Sequence, residues 1–275
     1  MDRERRGHEP WMEVVEEVAP TVLVLGGFLT VPPLYVPLRA RLLERGAAAV
    51  VTANVWTPDW LLAGARGLGP IVTRSGRALL EAGRVSAASA RSRGAPVLVV
   101  GHSAGGMTGR LLMSPEPFEG RKLGARRRIG ALVTLGTPHR VADDGVIGHE
   151  VARIATVHAA RTMPGAFFAP SVGYLAVASR AVVGRPDGGL VERAAYATYQ
   201  ALLPRPGAEA IEGDGVVPVE SALLDGAPSI VLDDVVHGQG APPMRPWYGS
   251  SEGLDRWWPA ALETWRAALQ ARVAE

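Results

Sequence analysis

Apolar and polar positions alternate along this chain in blocks of two kinds. "TVLVLGGF" (21–28), "AAAVVTANVW" (47–56), "APVLVVGHS" (95–103) and "IGALVTLGTPH" (129–139) are short apolar runs rich in β-branched residues, three of them closed by glycine. Runs of this length, apolar at successive positions, predict strands buried on both faces. Between them lie segments with helical spacing. "LYVPLRARLLERG" carries Leu34, Leu38, Leu42 and Leu43 and stops at Gly46, and "IVTRSGRALLEAGRVSAASARSRG" reads as a long amphipathic helix ending at Gly94. "AGGMTGRLLM" starts another helix, and "LDRWWPAALETWRAALQARV" predicts a C-terminal helix whose tryptophans pack on the sheet. Residues 57–70 read as a Gly- and Pro-containing loop with two exposed tryptophans nearby, and residues 1–18 as a polar lead-in.

Strand and helix in alternation with short connections predict βαβ units. The expected fold class is α/β, a mostly parallel, doubly wound sheet with helices on both faces. Residues 140–195, with "MPGAFFAPSVGYLAVASRAVVG" at their centre, break the rhythm and are expected to be a helical lid or cap insertion in a single domain spanning 1–275. The alternation resumes at "ATYQALL" and "PSIVLDDVVHG".

Composition narrows the function. The chain is 47% hydrophobic and 20% charged, enough for a large core. Its formal net charge is +2 and Lys122 is the only lysine. The one basic cluster, "RKLGARRR" (121–128), lacks the interleaved aromatics of a single-strand binder, so no nucleic-acid partner is expected. With no cysteine, thiolate chemistry and disulfides are excluded. No secretory h-region and no membrane-spanning run is present, so a cytoplasmic location is expected. A transient contact with a lipid surface is compatible with this composition.

One motif carries chemistry. Gly101-His102-Ser103-Ala104-Gly105 fits G-x-S-x-G between a predicted strand and a predicted helix, the context of a nucleophile elbow. The turn needs small residues two before and two after the serine, and Gly101 and Gly105 supply them. A serine hydroxyl needs a neighbouring base that titrates near neutrality. The histidines are His8, His102, His139, His149, His158 and His237. His102 is expected to point away from the serine across the turn. His237 follows the last predicted strand, at the carboxyl edge where ligands bind in such sheets. The histidine in turn needs a carboxylate, and Asp214, between Gly213 and Gly215, is preferred over Asp225, Asp233 and Asp234. Oxyanion donors are expected at Ala104, after the serine, and at Phe28, in the glycine-rich loop after the first strand.

With these residues in place, the chain resembles the α/β-hydrolase superfamily, and within it the lipase-like serine esterases of bacterial and plant type. The likeness rests on "GHSAGG" (101–106), "LVTLGTPH" (132–139), "GDGVVP" (213–218) and "WYGS" (247–250), and spans about residues 20 to 265. It implies Ser103, Asp214 and His237 as a triad, Phe28 and Ala104 as oxyanion donors, and a small-molecule ester or lipid as substrate. No metal or organic cofactor is implied. Many such enzymes carry His-Gly before the oxyanion residue, whereas this chain has Gly26-Gly27. The same triad would serve acyl transfer or thioester hydrolysis, and a non-catalytic binding module on the same scaffold is the reading outside enzymes.

Overall fold

A computed structural model of the chain describes residues 10–12, 15, 17–141, 150–203, 209–240 and 243–275. In chain order, strand β1 (Thr21–Leu25) leads through helix α1 (Val36–Glu44) to β2 (Ala49–Thr52). The short helices α2 (Thr57–Leu61) and α3 (Ala63–Arg66) precede the long α4 (Gly69–Ala88). Strand β3 (Val97–His102) turns directly into α5 (Ala104–Met113), and β4 (Ile129–Leu135) is followed by α6 (Glu150–Thr162) and β5 (Gly173–Ser179). A small hairpin, β6 (Val182–Gly184) with β7 (Ile211–Gly213), encloses α7 (Leu190–Leu202). Helix α8 (Val219–Ala222), strand β8 (Ser229–Leu232) and α9 (Ser251–Ala274) complete the chain.

Six strands form one sheet in the order β2-β1-β3-β4-β5-β8, parallel throughout. The chain first moves outward from β1 to β2, then returns to β3 and builds the other way. The reversal lies between β1 and β3, and the crevice at their carboxyl ends is where such sheets bind ligands. Alternation along the strands splits the core in two. Val22, Val24, Leu98, Val100 and Val133 face α1 and α9, while Leu23, Leu25, Val97, Val99 and Leu132 face α4 and α5.

The structure corrects four expectations. Residues 140–195 are not a helical insertion throughout, because Gly173–Ser179 within them is β5, hydrogen-bonded between β4 and β8. "GYLAVAS" is buried on both faces, so it lacks the period-2 polarity that separates a strand from a buried helix. "ATYQALL" does not resume the alternation as a strand; most of it lies in α7, with Tyr199 and Leu202 buried. The loop expected at 57–70 contains α2 and α3, and of its tryptophans Trp56 is exposed but Trp60 is 4% exposed. The long helix stops at Ala88, six residues before Gly94, where Ser89 takes an extended conformation. Among the described residues, no helix is long and apolar enough to cross a membrane.

The expected C-terminal helix is α9. Ser250 caps it by accepting from the Gly253 amide at 3.1 Å. Its tryptophans pack on the sheet with their indole N–H groups satisfied, Trp257 on the Tyr248 carbonyl (2.9 Å) and Trp265 on the Pro96 carbonyl (2.7 Å). Trp265 fits because residue 130 is glycine: a Cβ there would stand 2.6 Å from the indole nitrogen. Trp265→Ala should therefore destabilise the fold by about 3–5 kcal/mol, read from urea unfolding. A loss below about 1 kcal/mol would refute this packing role.

Candidate active site

The site is built at the carboxyl ends of the strands, starting at the β3–α5 turn. Ser103 has φ 54° and ψ −129°, a conformation L-residues rarely hold. The surroundings impose it. A Cβ on Gly101 would lie 2.4 Å from Gly106 Cα, and one on Gly105 would lie 2.1 Å from the Leu25 carbonyl oxygen. Strand, helix and the end of β1 thus touch backbone to backbone. The Ser103 amide donates to the Leu135 carbonyl (2.9 Å), and Thr137 Oγ1 donates to the Ser103 carbonyl (2.8 Å). Ala104 opens α5, so its amide precedes the intrahelical ladder and has no acceptor among the described residues. The Phe28 amide is equally without one.

Asp214 and His237 come together. His237 Nδ1 donates to Asp214 Oδ2 at 2.8 Å, and the His237 amide donates to the Asp214 carbonyl at 2.9 Å. Asp214 is 1% exposed, and its other carboxylate oxygen accepts from the amides of Val216 (3.0 Å) and Val217 (2.7 Å). The Tyr248 hydroxyl donates to Oδ2 at 2.9 Å. Burial pushes the Asp214 carboxyl up. The charge of His237 and the hydrogen bonds from His237, Val217 and Val216 outweigh it, so Asp214 sits below the ordinary carboxylate range. With an ionised carboxylate on Nδ1–H, the lone pair of His237 lies on Nε2. Room for this assembly comes from Gly136, since a Cβ there would stand 2.4 Å from Asp214 Oδ2.

The rival carboxylates lie elsewhere. Asp225, Asp233 and Asp234 each form a surface ion pair, with Arg140, Arg180 and Arg256. Of the other histidines, His139 is buried against Thr134 and His158 bonds Ser114. His8 and His149 lie outside the described residues. His102 does turn away from Ser103, as expected, but not into empty structure. Its Nδ1 meets the Tyr35 hydroxyl at 2.8 Å, its Nε2 meets the His237 carbonyl at 2.8 Å, and its ring centroid is 4.8 Å from that of His237.

Beside Ser103 and Ala104 opens an apolar cavity of about 150 Å³. Phe28, Trp60, Met107, Leu111, Leu202 and Val217 are among its walls. Helices α6 and α7 contribute Ala155, Thr198 and Leu202 to it, of which only Ala155 lies within the segment 140–195 expected as a cap. Ser103 Oγ makes no hydrogen bond to another described residue. Among the described residues no group of three His, Cys, Asp or Glu is placed to hold a metal ion.

Sequence reasoning missed Tyr35 and the role of His102, and it named the "WYGS" segment without giving Tyr248 a partner. Only the fold shows that Tyr248 reaches Asp214, 34 positions away.

No protein-family model matches the sequence, and comparison with curated proteins finds no relative. Solved structures do match. The lipase BlEst2 of Bacillus licheniformis in mature form superposes with a TM-score of 0.55 at 13% identity, covering 90% of this chain and 92% of that one. Its propeptide form superposes with a TM-score of 0.53 at 13% identity, covering 89% of this chain and 50% of that one. At such identity the likeness speaks to architecture, and the chain has the α/β-hydrolase fold.

The buried His102 generates a pH prediction. Burial, and then the charge of His237, pull its pKa down to about 3, from 6.5 in the unfolded chain. Between these values the unfolded state binds the proton and the folded state does not, so stability falls as pH drops through this window. One such group contributes a slope of about 1.4 kcal/mol per pH unit. The unfolding free energy of His102→Gln should therefore fall less steeply from pH 6 to 4 than that of the wild type, by about this slope; equal slopes would contradict the buried neutral imidazole.

Proposed function

We propose that this chain is a serine hydrolase of carboxylic esters, an esterase of lipase-like type that works through an acyl-enzyme. The observation that carries the reading is a buried Asp214–His237 hydrogen bond in the same fold as a serine held at positive φ that lines an apolar cavity. In this reading Ser103 Oγ attacks the ester carbonyl while His237 Nε2 takes its proton. Asp214 holds the imidazole in the required tautomer and stabilises the imidazolium. The amides of Phe28 and Ala104 receive the oxyanion, where loss of one donor typically costs about 10²–10³ in rate. His237 then protonates the leaving alcohol, and water, deprotonated by the same nitrogen, releases the acyl group. The absence of a Ser103–His237 hydrogen bond is compatible with this scheme, since such contacts often tighten only when substrate is bound.

The cavity bounds the acyl group. An apolar cavity of about 150 Å³ has room for a ring of six carbons. Acyl chains of about four to six carbons should fill it, and longer ones must project past its mouth. Hydrolysis of p-nitrophenyl esters should accordingly peak between butyrate and hexanoate, with palmitate poorer; an optimum at palmitate would refute this sizing.

Ser103→Ala should abolish turnover and fluorophosphonate labelling and leave circular dichroism and the melting profile near those of the wild type. Turnover that survives the substitution would remove the serine mechanism. Labelling without ester hydrolysis would instead favour acyl transfer or a thioester substrate, and neither labelling nor turnover a binding module.

A further inference from the structure

The loop after β1 has a problem of control. Gly27 lies against the nucleophile, where a Cβ would stand 2.8 Å from Ser103 Cβ, so no side chain can be used to steer it. Glycine leaves its two flanking peptides free to rotate. Yet the Phe28 amide is useful only in one direction. That amide and the Gly27 carbonyl belong to the same planar, trans peptide and point opposite ways. Whatever fixes the carbonyl therefore aims the N–H.

The carbonyl is fixed by one residue. Thr30 Oγ1 donates to Gly27 O at 2.7 Å and the Thr30 amide reaches it at 3.3 Å. The preceding peptide is fixed by Tyr35, whose hydroxyl accepts from the Gly27 N–H at 2.8 Å and stands 3.3 Å from Thr30 Oγ1. The Gly27 N–H is thereby spent, while the Phe28 N–H has no acceptor among the described residues.

The direction of the remaining bonds follows from their ends. The His237 carbonyl can only accept, so His102 Nε2 carries the proton. His102 Nδ1 is then an acceptor, and the Tyr35 hydroxyl must donate to it. A one-way chain results: Gly27 N–H to Tyr35 oxygen, Tyr35 O–H to His102 Nδ1, His102 Nε2–H to the His237 carbonyl. It ties the loop after β1 to the backbone of the histidine across the site, and Tyr35 and His102 are both buried. Linked bonds of this kind polarise one another in the same direction.

We propose that Thr30 and Tyr35 are positioning residues that aim the Phe28 amide at the oxyanion, Thr30 by holding the Gly27 carbonyl and Tyr35 by coupling the loop through His102 to His237. The proposal rests on Ser103 as nucleophile and Phe28 as donor. Neither residue touches the substrate. Each acts on the transition state by fixing a dipole before charge develops.

The test is the kinetics of p-nitrophenyl butyrate hydrolysis by the wild type, Thr30→Val, Thr30→Ser and Tyr35→Phe, with melting temperatures and rates of fluorophosphonate labelling. Thr30→Val keeps the shape and removes the hydroxyl. It should lower kcat about 10- to 100-fold, as misplacement of a reacting group does, and leave KM within about two-fold. Labelling should slow in parallel, because the phosphonyl oxygen occupies the same hole. Thr30→Ser should restore most of kcat, which a merely structural role for the methyl group would not allow. A Thr30→Val enzyme with kcat within about two-fold of the wild type overturns the proposal, as does a loss of kcat that Ser does not restore. Should Thr30→Val fail to fold, Tyr35→Phe decides: a kcat lowered at unchanged KM supports the coupling, and a wild-type kcat overturns it. These failures are distinct from failure of the underlying reading, in which the wild type itself would show no Ser103-dependent turnover or labelling and the proposal would fall with it.

Discussion

The arrangement depends on backbone contact around one turn. β3 and α5 meet so closely that a methyl group at Gly101 would overlap the Gly106 Cα, and one at Gly105 would overlap the carbonyl that ends β1. This contact forces Ser103 into a positive φ and lifts its side chain clear of the sheet. It also brings the end of β1 against the serine and lets the ends of β4 hold it, through the Leu135 carbonyl and the Thr137 hydroxyl. A central strand with parallel neighbours on both sides is stiff enough to sustain such a conformation. The strain is offset by the apolar burial of β1, β3 and β4, whose side chains are almost wholly excluded from water.

Charge is arranged with the same economy of motion. A buried carboxylate survives only when its lone pairs are met, and Asp214 has four donors from three stretches of chain: the turn after β7, His237 and Tyr248. Its neighbour problem is the opposite one. Two imidazole rings lie 4.8 Å apart, and if both were protonated they would repel. His102 avoids this by being buried and by having each nitrogen committed, one to a hydroxyl and one to a carbonyl. It stays neutral, so His237 faces Asp214 as its single charged partner within hydrogen-bonding distance. Histidine at position 102 is thus a spacer with two hydrogen-bonding ends, a use that proximity to Ser103 in sequence does not suggest.

Much of this was legible in the sequence, and the reason differs by element. The strands β1, β3 and β4 announced themselves because runs buried on both faces are continuous and end in glycine, whereas β2, with only Val50 buried, was carried by its β-branched residues. The elbow was legible because backbone contact tolerates so few residue types. The meeting of Asp214 with His237 was reachable by elimination, through the order of elements in a sheet that binds at its carboxyl edge. β5 was not legible: "GYLAVAS" has the small, uniformly apolar character of a helix core, and only its pairing partners decide. Tyr35, Thr30 and Tyr248 were missed for a different reason. Each acts through a single hydroxyl whose partner is fixed by tertiary folding, and a tyrosine or threonine near an apolar segment carries no periodic signal.

A division of labour follows from where the parts sit. The groups proposed for chemistry stand at strand ends or in the turns next to them: Gly27 and Phe28 after β1, Ser103 after β3, Gly136 after β4, Asp214 after β7 and His237 beyond β8. The cavity walls come largely from helices, Trp60 from α2, Met107 and Leu111 from α5, Ala155 from α6, Leu202 from α7. Helices packed by apolar contact can change side chains at modest cost, whereas the strand-end turns are fixed by backbone contact and by hydrogen bonds with one permitted direction. The cavity can therefore be reshaped without moving Ser103 or its neighbours, and a fold of this kind can keep one chemistry while its substrate range drifts.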